Sequence, residues 1–209
     1  MKEINIIKEY IRSTQSDKRF LHTCGVAEEC ERLADLLEFS KEDRKKLCIA
    51  GWLHDITKES DITIQESICR EFNIEIPEKG YSDPVLHART GAYYAKEKFP
   101  DLVDEKIFSA IYNHTTGCRG MSVFDMIVCF ADFIEPSRKY DGCRHLREEF
   151  YRDVEREDPT AVLLRCIRKS FDMTITSLID KEVTIDQETI DARNYLIEIS
   201  ASQPKEVKK

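Results

Sequence analysis

Residues 47–59 read LCIAGWLHDITKE, so an adjacent histidine and aspartate, His54 and Asp55, end the most apolar segment of the chain. Residues 47–53 are apolar on nearly all sides of a helix, which predicts that this helix lies at the centre of the fold. A carboxylate inside an apolar segment is costly unless a cation or hydrogen bonds satisfy it. The stretch therefore predicts a buried helix that leads into a polar site.

Apolar residues recur at helical spacing on both sides of this segment, through nearly all of the chain. The longest irregular stretch, residues 73–84, contains one glycine and two prolines. No repeat or linker interrupts the pattern, which favours an all-α, single-domain helical bundle over residues 1–200 with a polar tail at 201–209. We expect helices near residues 2–13, 19–38, 40–58, 61–72, 84–98, 104–114, 121–134, 142–156, 159–180 and 187–200.

Composition narrows the class of protein. Of the 209 residues, 41% are hydrophobic and 34% are charged, which is typical of a helix-rich globular protein. The net charge of −8 argues against broad nucleic-acid binding, which needs a basic face. No stretch approaches the roughly 20 apolar residues of a membrane span, and the N-terminus lacks the apolar core of a signal peptide. The eight cysteines include no CxxC pair, so we expect reduced thiols in a cytoplasmic protein.

Four of the five histidines and two aspartates occur in or beside apolar helical segments. Singly, each could be a hydrogen-bonded core residue or a surface residue. Together they predict one shared metal site in the core of the bundle, because a neutral imidazole is the commonest metal ligand. The six residues are His22, His54, Asp55, His87, His114 and Asp132.

The residue types also restrict the metal. Mixed histidine and aspartate ligands favour iron, manganese, cobalt or zinc over a soft thiolate site, and the absence of cysteine argues against structural zinc. Asp55 has two oxygens and could bridge two ions. Basic residues near the six candidates would suit phosphate groups, although each could be an ordinary surface residue. These bases are Arg19, Lys58, Arg89, Arg119 and Arg138.

The order His22, His54-Asp55 and Asp132 resembles the H…HD…D signature of the HD-domain superfamily of metal-dependent phosphohydrolases. A narrower resemblance lies in HTTGCRGMSVFDMIVCFADFIEPSR at 114–138. This stretch is similar to the hallmark of the YqeK-type symmetrical bis(5'-nucleosyl)-tetraphosphatases, as are LHDITKE and TIDARNYLIEIS at 189–200. The chain departs from that family at Asp186-Gln187, where a His-Pro pair would be expected.

The resemblance implies an HD-type bundle that splits diadenosine tetraphosphate in the middle and releases two ADP. It implies that the metal, usually iron as one or two ions, is held by His22, His54, Asp55 and Asp132. His87 and His114 would line a second-metal or phosphate position. The implied catalytic residues are Asp55, Lys58, His87 and His114. The implied substrate contacts are Arg19, His22, Asp55, Lys58, His87, His114, Thr115, Asp132, Arg138, Ser170, Thr174 and Ile175.

Two other functions remain open from the sequence. One is an HD-type nucleotidase that releases phosphate from mononucleotides, and the other is a sensor that binds metal and nucleotide without catalysis. The complete set of ligand residues speaks against the sensor, since a binding domain need not keep every ligand. We expect neither a nucleic-acid nor a membrane partner, and the amphipathic N-terminal helix would allow a homodimer.

Overall fold

Ten helices build the part of the chain that the computed structural model describes, residues 2–76 and 84–202. These ranges contain no strand, so the predicted all-α class is confirmed. The helices are α1 Lys2–Thr14, α2 Asp17–Leu36, α3 Lys41–Leu53, α4 Ile62–Phe72, α5 Leu86–Lys98, α6 Glu105–Asn113, α7 Val123–Ile134, α8 Asp141–Asp153, α9 Pro159–Asp180 and α10 Gln187–Ser202.

Helix α3 occupies the centre of the fold, as its sequence predicts. It packs against α1, α2, α5, α6 and α7, and every residue from Leu47 to Leu53 is buried. Gly51 lies where α3 meets α2, and a Cβ added there would stand 2.8 Å from the Cα of Ala27. A side chain at this position would therefore force the two helices apart.

The end of α3 differs from the prediction. We expected this helix to continue to about Lys58, but it ends at Leu53, and residues 54–59 form tight turns. Within them the backbone N–H of Ile56 donates to the carbonyl of Leu53, and that of Lys58 donates to the carbonyl of Asp55. The side chain of Gln15 also donates to the Asp55 carbonyl at 3.2 Å. The two backbone bonds between residues three apart replace the helical pattern after Leu53. The bond from Gln15 holds the turn that contains Asp55.

Side-chain caps mark the starts of several helices. Ser40 accepts a hydrogen bond from the backbone N–H of Asp43 at 3.1 Å, as the sequence predicts for the start of α3. Ser122 and Asp125 form a reciprocal capping box at α7. Helix α7 ends at Ile134, where the sequence predicts its end. The caps therefore fix where α3 and α7 begin.

The last three helices pack together beside α7, the helix that carries Asp132. Helix α8 contacts α7 and α9, and α9 contacts α7 and α10. Gly117 follows α6 with a φ of +63°, and a Cβ there would stand 2.7 Å from Phe171 of α9 and 2.8 Å from Ala192 of α10. The loop that follows His114 is thus packed closely against α9 and α10. One cluster of buried apolar residues extends from Ile7 to Leu196.

Two predicted features fall partly outside the described residues. Most of the irregular stretch at 73–84 lies there, and so do residues 203–209 of the predicted tail. Among the helices that the structure describes, none is both long and apolar enough to cross a membrane.

Candidate metal centre

Five places in the fold deliver the six predicted metal-site residues to one point. His22 comes from α2, the pair His54-Asp55 from the turns after α3, and His87 from the first turn of α5. His114 follows α6, and Asp132 lies in the last turn of α7. All four histidines and Asp55 are buried, while Asp132 is partly exposed. The structure thus brings together residues that are up to 110 positions apart in the sequence.

The carboxylate of Asp55 stands between two pairs of histidines. Its Oδ2 lies 3.7 Å from Nε2 of His22 and 3.4 Å from Nε2 of His54. Its Oδ1 lies 3.1 Å from Nε2 of His87 and 3.7 Å from Nε2 of His114. We call the residues on the Oδ2 side, with Asp132, the first group, and His87 and His114 the second group. Asp55 faces both groups, one oxygen toward each.

Within each group the ligand atoms converge. Nε2 of His22 lies 3.3 Å from Nε2 of His54 and 3.0 Å from Oδ1 of Asp132. In the second group, Nε2 of His87 lies 3.1 Å from Nε2 of His114. The potential ligand atoms of His22, His54 and Asp132 all lie within 4.8 Å of one another. A cation would relieve this crowding of lone pairs, because each atom would donate to the same ion.

The other ring nitrogen of each histidine is also held. Nδ1 of His54 lies 2.8 Å from the carbonyl of Gly51, and Nδ1 of His114 lies 2.7 Å from that of Ile111. In His87 the Nδ1 lies 2.6 Å from the carbonyl of Pro84. A carbonyl can only accept, so the Nδ1 atoms of His54 and His114 carry the proton and leave Nε2 free as a ligand, whereas Nδ1 of His87 also faces Nζ of Lys58. The residues present therefore fit a resident metal.

The two aspartates are held in the charged form. Burial alone would raise the pKa of Asp55, but the surrounding histidines, His54 above all, hold it well below its usual value. Burial acts in the same direction on Asp132, and the charge of Arg138 and the hydrogen bond from His22 keep its pKa well below the usual value. Both carboxylates are therefore available to a cation at neutral pH.

The histidines differ in their electrostatic surroundings. Burial would lower the pKa of His22, yet hydrogen bonds to Asp132 and Glu135 raise it to about 9. Burial lowers the pKa of His87 to about 4 despite the nearby Asp55. Burial also lowers the pKa of Lys58. In the first group the carboxylates are paired with Arg19 and Arg138, whereas the second group contacts the amine of Lys58.

Three of the five predicted bases lie against the cluster. Nη1 of Arg19 is 2.5 Å from Oδ2 of Asp55, and Nη2 of Arg138 is 2.5 Å from Oδ1 of Asp132. Nζ of Lys58 is 2.9 Å from Nδ1 of His87. These cations are partly exposed, so they can turn toward an anionic ligand.

Other residues near the later ligands face a different part of the fold. Arg89 pairs with Asp186 at 3.2 Å, and Arg119 pairs with Glu198 of α10 at 2.6 Å. Both bases therefore hold the C-terminal segment and lie outside the cluster. Thr115 does belong to it, since its hydroxyl lies 3.1 Å from Nε2 of His114.

A cavity of about 400 Å³ adjoins the end of α7 and helix α9. One of its walls is Phe133, the residue after Asp132 in α7. Of the three α9 residues expected to contact substrate, Thr174 lines the cavity, whereas Ser170 and Ile175 do not. Ser170 is buried and donates to the carbonyl of Ile167. The cavity is lined by Phe133, Tyr140, Met173, Thr174, Ser177, Leu178 and Lys181.

Sequence reasoning missed Glu135 and most of this cavity. Glu135 is absent from the predicted site residues, although it follows Asp132 by three residues and so shares its helix face. That spacing was an available signal. No spacing in the sequence indicates the other walls of the cavity, Tyr140 and the residues of α9. They approach Phe133 only through the tertiary packing of α7, α8 and α9.

We expect His54→Ala and Asp55→Ala to lose bound metal, because each removes a buried ligand atom from the centre of the cluster. Metal content of purified protein, measured by elemental analysis, tests this. His145→Ala is the matched control, since His145 is exposed on α8 and outside the cluster. Full metal content in the His54 variant, with the fold intact by circular dichroism, would contradict the assignment.

Comparison with known proteins gives a consistent picture. The HD domain model matches residues 19–137. The symmetrical bis(5'-nucleosyl)-tetraphosphatase of Halalkalibacterium halodurans is 31% identical over 94% of this chain and 96% of its own length. Its counterpart from Staphylococcus aureus is 29% identical over 90% of this chain and 91% of its own length.

A solved structure shares the fold. It is the crystal structure of a predicted HD superfamily hydrolase involved in NAD metabolism from Clostridium acetobutylicum, which is 32% identical. The match covers 94% of this chain and 97% of that one, with a TM-score of 0.80. The order of His22, His54, Asp55 and Asp132, their convergence in space and these similarities have one explanation. The chain belongs to the HD domain family and, within it, to the YqeK-type family of the tetraphosphatases that it resembles over nearly its whole length.

Proposed function

We propose that this protein is a metal-dependent hydrolase that cleaves diadenosine tetraphosphate symmetrically into two ADP. The observation that carries the proposal is the Asp55 carboxylate between two histidine pairs. The names of the relatives that match nearly the whole chain support the same activity.

The metal is held, in this proposal, by His22, His54, Asp55 and Asp132, with His87 and His114 at a second position. We propose iron, as one or two ions, and manganese, cobalt or zinc would also suit a mixed imidazole and carboxylate donor set. When bound, such a cation polarises a phosphoryl oxygen and lowers the pKa of water toward neutrality.

The cations of the protein would neutralise the polyphosphate. Arg19, Lys58 and Arg138 lie against the cluster, where they can pair with phosphate oxygens. The departing ADP ends in a phosphate whose second pKa is about 6, as for other phosphate monoesters. It can therefore leave as an anion, and the positive charge of Lys58 and Arg19 would assist more than a proton donor would.

Central cleavage requires that one ADP half is fixed while its terminal phosphorus reaches the cluster. The cavity is of a size that binds small ligands, and its aromatic and aliphatic walls suit a nucleobase. Tyr140 is 71% exposed and offers a ring face for stacking. Thr174 and Ser177 supply hydroxyls that can meet polar atoms of the nucleoside. We propose that a nucleoside held there extends its phosphates toward the first group, because Phe133 of the cavity follows Asp132 in α7.

Further parts of the proposal concern the whole protein. We propose that residues 1–200 act as one domain and that 201–209 form a polar tail. The net charge of −8 supports the absence of a nucleic-acid partner. A cytoplasmic location and a homodimer stay predictions.

The decisive experiment is incubation of the metal-loaded protein with diadenosine tetraphosphate, followed by chromatography of the nucleotides. We expect ADP as the sole product over many turnovers. AMP with ATP would contradict symmetric cleavage. Release of inorganic phosphate from mononucleotides would instead identify a nucleotidase, and stoichiometric binding without turnover would identify a sensor.

We expect Lys58→Ala to raise KM for diadenosine tetraphosphate at unchanged metal content, because it removes a phosphate cation and no carboxylate or imidazole. Steady-state kinetics and elemental analysis of the same sample test this. Lys106→Ala is the control, since Lys106 pairs with Asp43 on the surface. Normal kinetics in the Lys58 variant would remove this residue from the site.

We expect Ser177→Trp to raise KM about tenfold or more, because an indole would fill the cavity that the nucleoside needs. Metal content should not change. Ile179→Trp on the same helix is the control, since Ile179 is 60% exposed and does not line the cavity. If both variants bind substrate like the parent protein, the nucleoside lies elsewhere.

A further inference from the structure

One of the four site histidines is held differently from the others. The Nδ1 atoms of His54, His87 and His114 face backbone carbonyls. That of His22 lies 3.0 Å from Oε1 of Glu135 instead, so a full negative charge stands behind the ring. The side chain of Glu135 is completely buried.

The carboxylate of Glu135 is fixed from several directions. The backbone N–H of Ser137 donates to Oε2 at 2.6 Å, and the Ser137 hydroxyl donates to Oε1 at 2.5 Å. On α2, Gly25 leaves room for it, since a Cβ there would stand 2.5 Å from Oε2. Any side chain at position 25 would displace the carboxylate.

The backbone beneath Glu135 is fixed as well. Nη1 of Arg147 in α8 donates to the carbonyl of Ile134 at 2.7 Å and to that of Glu135 at 2.8 Å. These carbonyls end α7 and would otherwise lack helical partners. Helix α8 therefore holds the end of α7 at the point from which Glu135 reaches His22.

A carboxylate on the outer nitrogen of a ligating histidine orients the ring and makes the inner nitrogen a stronger ligand than a carbonyl does. The first group has two carboxylates, Asp132 and one oxygen of Asp55, each also paired with an arginine, and the charge of Glu135 stands behind its His22. The second group has the other oxygen of Asp55 and the amine of Lys58, 2.9 Å from His87. The same cation would bind the two groups with different strength.

We propose that Glu135 is a positioning residue for His22 and makes the first group the tighter of the two cation positions. This inference rests on the metal binding of the proposed function but not on its substrate. Ser137 and Gly25 place the carboxylate, and Arg147 holds the backbone from which it extends. Glu135 itself does not contact the cation.

The test is the affinity of metal-free protein for Mn²⁺ and Zn²⁺, measured by competition with a chelator of known affinity. Glu135→Gln keeps a hydrogen-bond acceptor and removes the charge, whereas Glu135→Ala removes both. We expect the tightest binding to weaken by about 10- to 100-fold in the glutamine variant and further in the alanine variant. Ser137→Ala should have a smaller effect in the same direction.

Glu29→Gln is the matched control. Glu29 is also completely buried, on α2 one turn beyond Gly25, but it accepts from the hydroxyl of Tyr151 and contacts no histidine. Thermal unfolding of the metal-free proteins separates positioning from a structural role. We expect the Glu135 variants to lose affinity beyond any loss that Glu29→Gln shows at comparable stability. Equal affinity losses in both, or none in Glu135→Gln, would overturn the proposal.

His87→Ala distinguishes the two positions. It should leave the tightest binding unchanged, because it alters only the second group, and it should abolish any weaker binding phase. If His87→Ala weakens the tightest binding and Glu135→Gln does not, the assignment of the tighter position is wrong. The product assay on the parent protein is independent, so failure of the proposed activity would be seen separately.

Discussion

The placement of two ionised carboxylates, a buried Asp55 and a partly exposed Asp132, next to four buried imidazoles is the constraint on which the rest of this structure depends. Asp55 has almost no contact with solvent, and both Asp55 and Asp132 remain charged because histidines and arginines surround them. Removing one partner of such a buried pair typically costs about 3–5 kcal/mol. The helices must therefore present these groups together, and the apolar packing around α3 supplies the rigid frame that makes this possible.

Most residues of the cluster lie at the ends of helices and not in their middles. His54, His114 and Asp132 all lie at or just beyond the last turn of a helix, and His87 lies at the start of one. A helix end brings backbone carbonyls to the site, and the structure uses them to orient His54 and His114. The tight turns after α3 serve the same purpose for Asp55, because a continuous helix would have carried it past the two histidine pairs.

The sequence predicted the helical class, the central position of α3 and the six residues of the cluster, because each depends on a local pattern. Titratable residues in apolar helices are visible without knowledge of tertiary structure. The end of α3 was predicted wrongly, because the bond from Gln15 to the Asp55 carbonyl joins residues 40 positions apart. The orientation of His22 by Glu135 and the cavity at Phe133 were missed for the same reason: both depend on how α2, α8 and α9 meet α7.

The metal cluster and the cavity draw on different stretches of the chain. Every residue of the histidine and aspartate cluster lies within the part that matches the HD domain model, residues 19–137. All residues that line the cavity except Phe133 come later in the chain: Tyr140 lies just before α8, and the others lie in α9 or just after it. In the proposed function, the metal centre and the nucleoside cavity are thus encoded in separate stretches. Exchange of the C-terminal helices would then change which molecule is recognised and leave the metal ligands intact.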